Sequence, residues 1–153
     1  MRNPLRVAAR VLTGSTYVLL GYDAARTPGG RVGQAGSTLA ALRSVVPLPE
    51  DDELLVRANG AVQLVGGTML ALGRFPRLSA LALVGSMVPT TWAGHAFWTV
   101  EDPAAQKTQR IQFSKNMAMI GGLLFAALDN PRSASSAEAR RRRWRRSSDT
   151  ESS

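Results

Sequence analysis

The chain has 153 residues, no cysteine and one histidine, and sets 19 Lys and Arg against 11 Asp and Glu for a net charge of +8. Without cysteine there are no disulfide staples, no thiol catalysis, no thiolate-held zinc and no Cys-ligated iron–sulfur cluster. A lone histidine also excludes bis-His haem and a conventional copper site, so no metal site is expected, and the basic balance points toward nucleic acid or the anionic inner face of a membrane.

Arg2 and Arg6 precede an apolar run, as in a signal peptide, but Arg10 interrupts it and the small-residue cleavage pattern is unconvincing. Residues 5–22 are therefore read as the first span. The polar connection that follows is Pro/Gly-rich over residues 27–36 and is expected to be irregular there. Leu39, Leu42 and Val46 then repeat at helical spacing, which predicts a short helix lying on the outer membrane surface. Pro49-Glu50-Asp51-Asp52 is a helix start signal, and residues 54–73 form the second span. A short turn with Arg74, Pro76 and Arg77 leads to the third, residues 78–98, where Pro89 should kink the helix rather than end it. Asp102-Pro103 is another start signal, residues 111–128 are the fourth span, and Asn130-Pro131 is a stop.

Each stretch is about long enough to cross a bilayer. Residues 78–88 and 117–128 lack the continuous polar stripe that a soluble amphipathic helix needs. The expected fold is thus all-α, a four-transmembrane-helix bundle over residues 1–130. A Ser/Arg-rich tail, residues 131–153, has little to bury and is expected to be disordered.

Small residues recur every fourth position on two spans: Ala82, Ser86, Thr90 and Gly94 on the third, Ser114, Ala118, Gly122 and Ala126 on the fourth. Such rows let helix backbones approach closely in lipid. Basic residues set the orientation. Twelve lie with the termini and the Arg74–Arg77 turn, and five (Arg26, Arg31, Arg43, Lys107 and Arg110) lie on the opposite side with Glu50, Asp51, Asp52 and Glu53. The positive-inside rule then puts both termini in the cytoplasm, in the plasma membrane.

With that orientation, polar side chains gather near the outer ends of the spans. Asp23, Arg57, Asn59, His95, Lys115 and Asn116 are the candidate pocket residues, with Tyr17, Tyr22, Trp92, Trp98 and Gln112 at the same level. Asp23 is expected to neutralise Arg57 or Lys115. For Arg57 and Lys115, snorkelling to headgroups is an equal alternative. Gln63 lies deeper and is read as an interhelical hydrogen-bonding group. None of these residues is read as catalytic. A quinone head is the simplest carrier that His95, Lys115 or Asn116 would meet, although no cofactor is required. In the tail, Arg140, Arg141, Arg142, Arg143, Trp144, Arg145 and Arg146 suit anionic lipid headgroups, with a protein partner as the alternative and no nucleic acid expected.

Leu48-Pro49, the run Gln63-Leu64-Val65-Gly66-Gly67-Thr68-Met69-Leu70-Ala71-Leu72-Gly73, Arg74 and Arg77-Leu78-Ser79-Ala80-Leu81 resemble the second and third helices of DoxX proteins. His95 and Gln112-Phe113-Ser114-Lys115-Asn116-Met117-Ala118-Met119-Ile120-Gly121-Gly122-Leu123-Leu124 resemble the end of the third helix and the fourth helix of that family. The chain departs from the family pattern where Gln63 stands in place of Glu, and where Gly21-Tyr22-Asp23-Ala24-Ala25-Arg26 replaces a stretch with Lys. The resemblance implies a four-helix membrane protein, and in some members association with membrane oxidoreductase complexes, including thiosulfate:quinone oxidoreductase, and with soluble redox enzymes. The expected function is a non-catalytic or quinone-contacting membrane subunit or anchor of such a redox-associated complex. The alternatives are a lipid- or solute-binding membrane protein, comparable to surfeit-type cargo receptors, and a scaffold that recruits partners through the arginine tail. Homo-oligomerisation is left open.

Overall fold

The computed structural model describes residues 4–128, which form five α-helices and one 3-10 turn in the order α1 (Pro4–Arg26), α2 (Gly30–Arg43), α3 (Asp52–Leu72), α4 (Pro76–Gly94), η1 (Phe97–Thr99) and α5 (Pro103–Leu128). The basic tail, with Arg140 to Arg146 and Trp144, lies outside the described residues.

Local chemistry explains most boundaries. The Asp51 carboxylate accepts a hydrogen bond from Leu54 N at 2.9 Å, which starts α3. Asp102 does the same for Ala105 N at 2.7 Å, with Pro103 at the first helical position of α5. α3 stops at Gly73, whose φ of 69° lets its N–H bond Leu70 O at 3.0 Å while Arg74 N reaches Met69 O at 2.8 Å. Phe75 also takes a left-handed φ, 47°, and Pro76 then opens α4.

Two boundaries differ from the expected spans. Gly94 ends α4, four residues before the end of the third apolar stretch; the chain turns at His95 and continues into η1, whose aromatic rings pack back onto α5. α5 begins at Pro103, two turns before residue 111, because the Asp102 cap lies there and not at the edge of the apolar run.

The segment at residues 30–36, expected to be irregular, is the first half of α2. Val32, Ala35, Gly36, Leu39, Leu42 and Arg43 come round to one half-buried face, and α2 packs on α3 and α4. That contact outweighs the loss of about 1 kcal/mol for each glycine in a helix interior. Arg43 ties the end of α2 to the start of α3, donating to Pro49 O at 2.7 Å and to Asp52 Oδ1 at 2.5 Å. Val46 lies beyond the helix and is exposed.

The main interfaces pair α1 with α3 and α4 with α5, and α3 against α4 joins the two pairs. Tyr17 from α1, Leu70 from α3, Ala80, Leu83 and Met87 from α4, and Ile120 and Leu123 from α5 form one core cluster. α1 and α3 run antiparallel with backbones nearly touching. A Cβ built on Gly14 would stand 2.5 Å from Gly67 O, and one on Gly60 would stand 2.9 Å from Gly21 O. These four glycines, seven apart on each helix, allow the approach.

The small-residue rows behave differently. Ser86 is buried, but Ala82 is exposed and Gly94 half-buried. Ser114, Ala118 and Gly122 are all exposed, and nothing lies within 4 Å of a Cβ on Gly122. α5 meets α4 through Asn116, Ile120 and Leu123 instead, because larger side chains at those positions fill the space between helices whose backbones stay apart.

Among the described residues, α3 and α5 are the helices long and apolar enough to cross a membrane by length and composition. Neither is hidden as the core helix of a soluble protein would be: α5 buries Ile120 and Leu123 while Phe125 and Leu128 are each 78% exposed. α1 and α4 leave Leu5, Leu12, Leu19, Leu78 and Val88 facing outward as well. So much uncovered apolar surface suits hydrocarbon as the surrounding solvent. α1 falls short of the same composition because Arg10 and Asp23 bracket its apolar part, and α4 because Gly, Ser, Thr and Pro dilute it.

Candidate functional site

At the end of the bundle where α2 lies, α4, η1 and α5 build a polar pair flanked by aromatic rings. Thr91, 2% exposed, accepts a hydrogen bond from Asn116 Nδ2 at 3.2 Å. Just past the end of α4, four residues after Thr91, His95 Nδ1 lies 2.7 Å from Gln109 Oε1. Both bonds link α4 to α5, so each sets the register of that pair. That bond occupies Nδ1 and leaves Nε2 as the ring nitrogen open to a ligand hydrogen bond.

Four rings stand beside this pair. Trp92 and Trp98 are 4.8 Å apart between centroids, Phe97 and Trp98 5.1 Å, Phe97 and Phe113 5.6 Å, and Trp98 and Phe113 5.9 Å. Three edge-to-face contacts and the tilted Trp92–Trp98 contact hold them together, and Trp92 and Trp98 remain 60% and 45% exposed. The rings form a packed apolar cluster next to hydrogen-bonding groups, their planes tilted 53° to 81° to one another, and the exposed Trp92 and Trp98 offer contact area to a planar ring bearing oxygen substituents.

The other expected pocket residues do not converge on it. Arg57 Nη1 donates to Ala25 O at 2.6 Å and Arg26 O at 3.2 Å, and Arg57 also pairs with Glu53 at 2.8 Å. It therefore caps the C-terminus of α1, where a cation meets the free carbonyls and the negative end of the helix dipole. The expected neutralisation of Arg57 or Lys115 by Asp23 is absent among the described residues: Asp23 is exposed, and Glu53, one turn before Arg57 on the same helix, is the nearer carboxylate. Lys115 is exposed and makes no hydrogen bond or ion pair among the described residues, because it is rotated about 100° around α5 from Asn116. Asn59 is half-buried on α3. Tyr22 is exposed and pairs with Arg26 of its own helix, while Tyr17 is fully buried. No group of three or more metal-binding side chains occurs among the described residues.

Sequence reasoning misses Gln109 and Phe113. Gln109 precedes the apolar run of α5, yet its spacing of seven from Asn116 places both on one face and is the signal that could have found it.

The sequence model of DoxX matches residues 5–96, more than half of the chain. The chain belongs to the DoxX family. No curated protein and no solved structure matches it. In this DoxX chain the matched part spans α1 to the end of α4 and includes His95, whereas Gln109, Phe113, Lys115 and Asn116 on α5 lie beyond it. Family membership and the apolar helices together point to a membrane protein.

Proposed function

We propose that α1, α3, α4 and α5 all cross the plasma membrane, with both ends of the chain on the cytoplasmic side and α2 across the outer ends. Charge placement supports this. The acids of residues 4–128 are Asp23, Glu50, Asp51, Asp52, Glu53, Glu101 and Asp102, all at the α2 end. The opposite end carries Arg6, Arg10, Arg74 and Arg77 and no acid, as a cytoplasmic face does. The basic tail would then meet anionic lipid headgroups or a soluble partner.

In this reading the protein is a non-catalytic membrane subunit or anchor of a redox-associated complex, and the α4–α5 site takes a quinone ring. The observation that carries it is the His95–Gln109 hydrogen bond set beside the four-ring aromatic surface. The rings offer stacking area and the imidazole offers a hydrogen bond at the ring's edge. Lys115 drops out of the binding set because of its outward position.

The test is extraction of the purified protein from mild detergent into organic solvent. Co-purified quinone, lost in a His95→Ala, Gln109→Ala double variant that still inserts, supports this function. Bound phospholipid with no quinone overturns it in favour of a lipid- or solute-binding membrane protein.

A further inference from the structure

Arginine occurs at both ends of the bundle, and the two ends treat it differently. At the α2 end, Arg57 is held by Glu53 and by the last carbonyls of α1. At the opposite end, Arg6, Arg10, Arg74 and Arg77 gather where α1 begins and α3 turns into α4, with no acid of residues 4–128 beside them. Like charges collected in one place without a counterion raise the local potential and draw an anion from outside.

Packing fixes where the Arg10 charge sits. A Cβ built on Gly73 would stand 3.2 Å from both Cζ and Nη1 of Arg10 and 3.4 Å from Nη2, so the guanidinium lies against Gly73, where a missing side chain leaves room for it. The contact puts this charge beside the main chain of Arg74, the next residue, and Arg77 follows in the first turn of α4. Arg10 Nε is enclosed by protein, while the side chain as a whole is half-buried. Its terminal nitrogens are thus the pair left to grip an anion, in a fork that matches two phosphate oxygens.

The level is that of lipid headgroups. α3 has 21 residues, about 32 Å of helix at 1.5 Å per residue, and it ends at Leu72, beside Arg10. A hydrocarbon layer about 30 Å thick leaves the guanidinium at its edge. Leu72, Phe75 and Leu78, each more than 60% exposed, surround the same turn and offer apolar contact to acyl chains. A soluble anion would meet the charges alone, whereas a phospholipid meets the charges and the apolar side chains together.

We propose that Arg10, supported by Arg74 and Arg77, binds the phosphate of an anionic phospholipid at the end of the bundle opposite α2. The proposal rests on α1 and α3 crossing the membrane, as in the function proposed above, and it is independent of quinone binding. The selected headgroup carries no cation of its own, as in phosphatidylglycerol. The choline of phosphatidylcholine would stand among arginines and be repelled.

Native mass spectrometry of the full chain in detergent, titrated with either phosphatidylglycerol or phosphatidylcholine, tests it. The parent should bind phosphatidylglycerol the more tightly. Arg10→Gln should weaken that binding by roughly 5- to 10-fold and Arg74→Gln by roughly 2- to 5-fold. Arg110→Gln removes one exposed charge from the α2 end and should leave it unchanged. The basic tail is intact in every variant, so its contribution is constant. Equal affinity for the two lipids, or equal effects of Arg10→Gln and Arg110→Gln, would overturn the proposal. So would displacement of the lipid by inorganic phosphate at equal concentration, which would make this a simple anion site. Without added lipid, Arg10→Gln should unfold at nearly the parent temperature. A large loss there would mean that a carboxylate beyond residue 128 holds Arg10, and the lipid would have no place. A chain that stays monomeric in solution without detergent would instead refute the four-span arrangement, before any lipid is added.

Discussion

Gly21 packs backbone to backbone against Gly60, so that a Cβ added to Gly21 would stand 2.6 Å from the Gly60 carbonyl oxygen. No rotamer relieves such a clash, since the obstacle is main chain and the added atom has no torsion of its own. Gly21→Ala should therefore force α1 and α3 apart and destabilise the protein by about 1–3 kcal/mol. Gly122→Ala is the matched control. Its Cβ would enter open space on α5, and the helix should gain up to about 1 kcal/mol from the better helix former. Thermal unfolding in one detergent should rank Gly122→Ala at or above the parent and Gly21→Ala well below it. The reverse order would mean that α1 and α3 are not paired through their glycines.

Arg57 makes two kinds of contact, and they should separate on mutation. Its ion pair with Glu53 joins side chains 43% and 54% exposed, and pairs of that kind contribute little. Glu53→Gln should change stability by less than about 0.5 kcal/mol. Arg57→Met also removes the bonds to Ala25 O and Arg26 O, leaving those carbonyls at the C-terminus of α1 without a donor, and should cost about 1–2 kcal/mol. Equal losses from the two variants would show that the salt bridge, not the helix cap, is what Arg57 supplies.

Features governed by near neighbours along the chain are legible in the amino-acid sequence. Asp51, Asp102, Pro76 and Pro103 mark helix starts because capping involves residues three or four apart. The four long helices follow from apolar length, and His95 with Asn116 as α4–α5 polar residues follow from the rarity of short polar groups in such segments. What escapes depends on partners distant in sequence. Acidic side chains are the obvious partners for Arg57, but it also binds carbonyl groups of α1 that no residue identity reveals. The row at Ser114, Ala118 and Gly122 has the four-residue spacing of a packing face yet lies exposed. The glycines that bring helices together are instead spaced seven apart, at Gly14 and Gly21 and again at Gly60 and Gly67, a repeat that keeps one face of each helix toward its partner over two turns.

The proposed topology has a direct chemical test because the chain contains no cysteine. A single cysteine at Gly30, where the α2 end has open space, should react with a membrane-impermeant maleimide added to intact cells. One at Phe75, 67% exposed in the α3–α4 turn, should react only after the membrane is opened. Labelling of both positions from outside would exclude the pairing of α3 and α4 as two spans with their turn in the cytoplasm.

Trp92 and Trp98 give an independent measure of depth. Their rings lie 4.8 Å apart at the α2 end of α4, both largely uncovered by protein. If α4 crosses the bilayer, the pair belongs in the interfacial layer where tryptophan concentrates. In a Trp144→Phe background, which removes the remaining tryptophan, lipids brominated near the headgroup should quench the fluorescence more strongly than lipids brominated near the chain ends. Stronger quenching from the chain ends would put the rings in mid-bilayer and displace the His95–Gln109 pair from the outer surface. Quenching by neither lipid, with full quenching by aqueous iodide, would remove the end of α4 from the membrane and with it the four-span arrangement. The expected order follows from geometry: α4 has 19 residues, about 28 Å of helix at 1.5 Å per residue. That length leaves its C-terminal rings at the edge of a hydrocarbon layer about 30 Å thick.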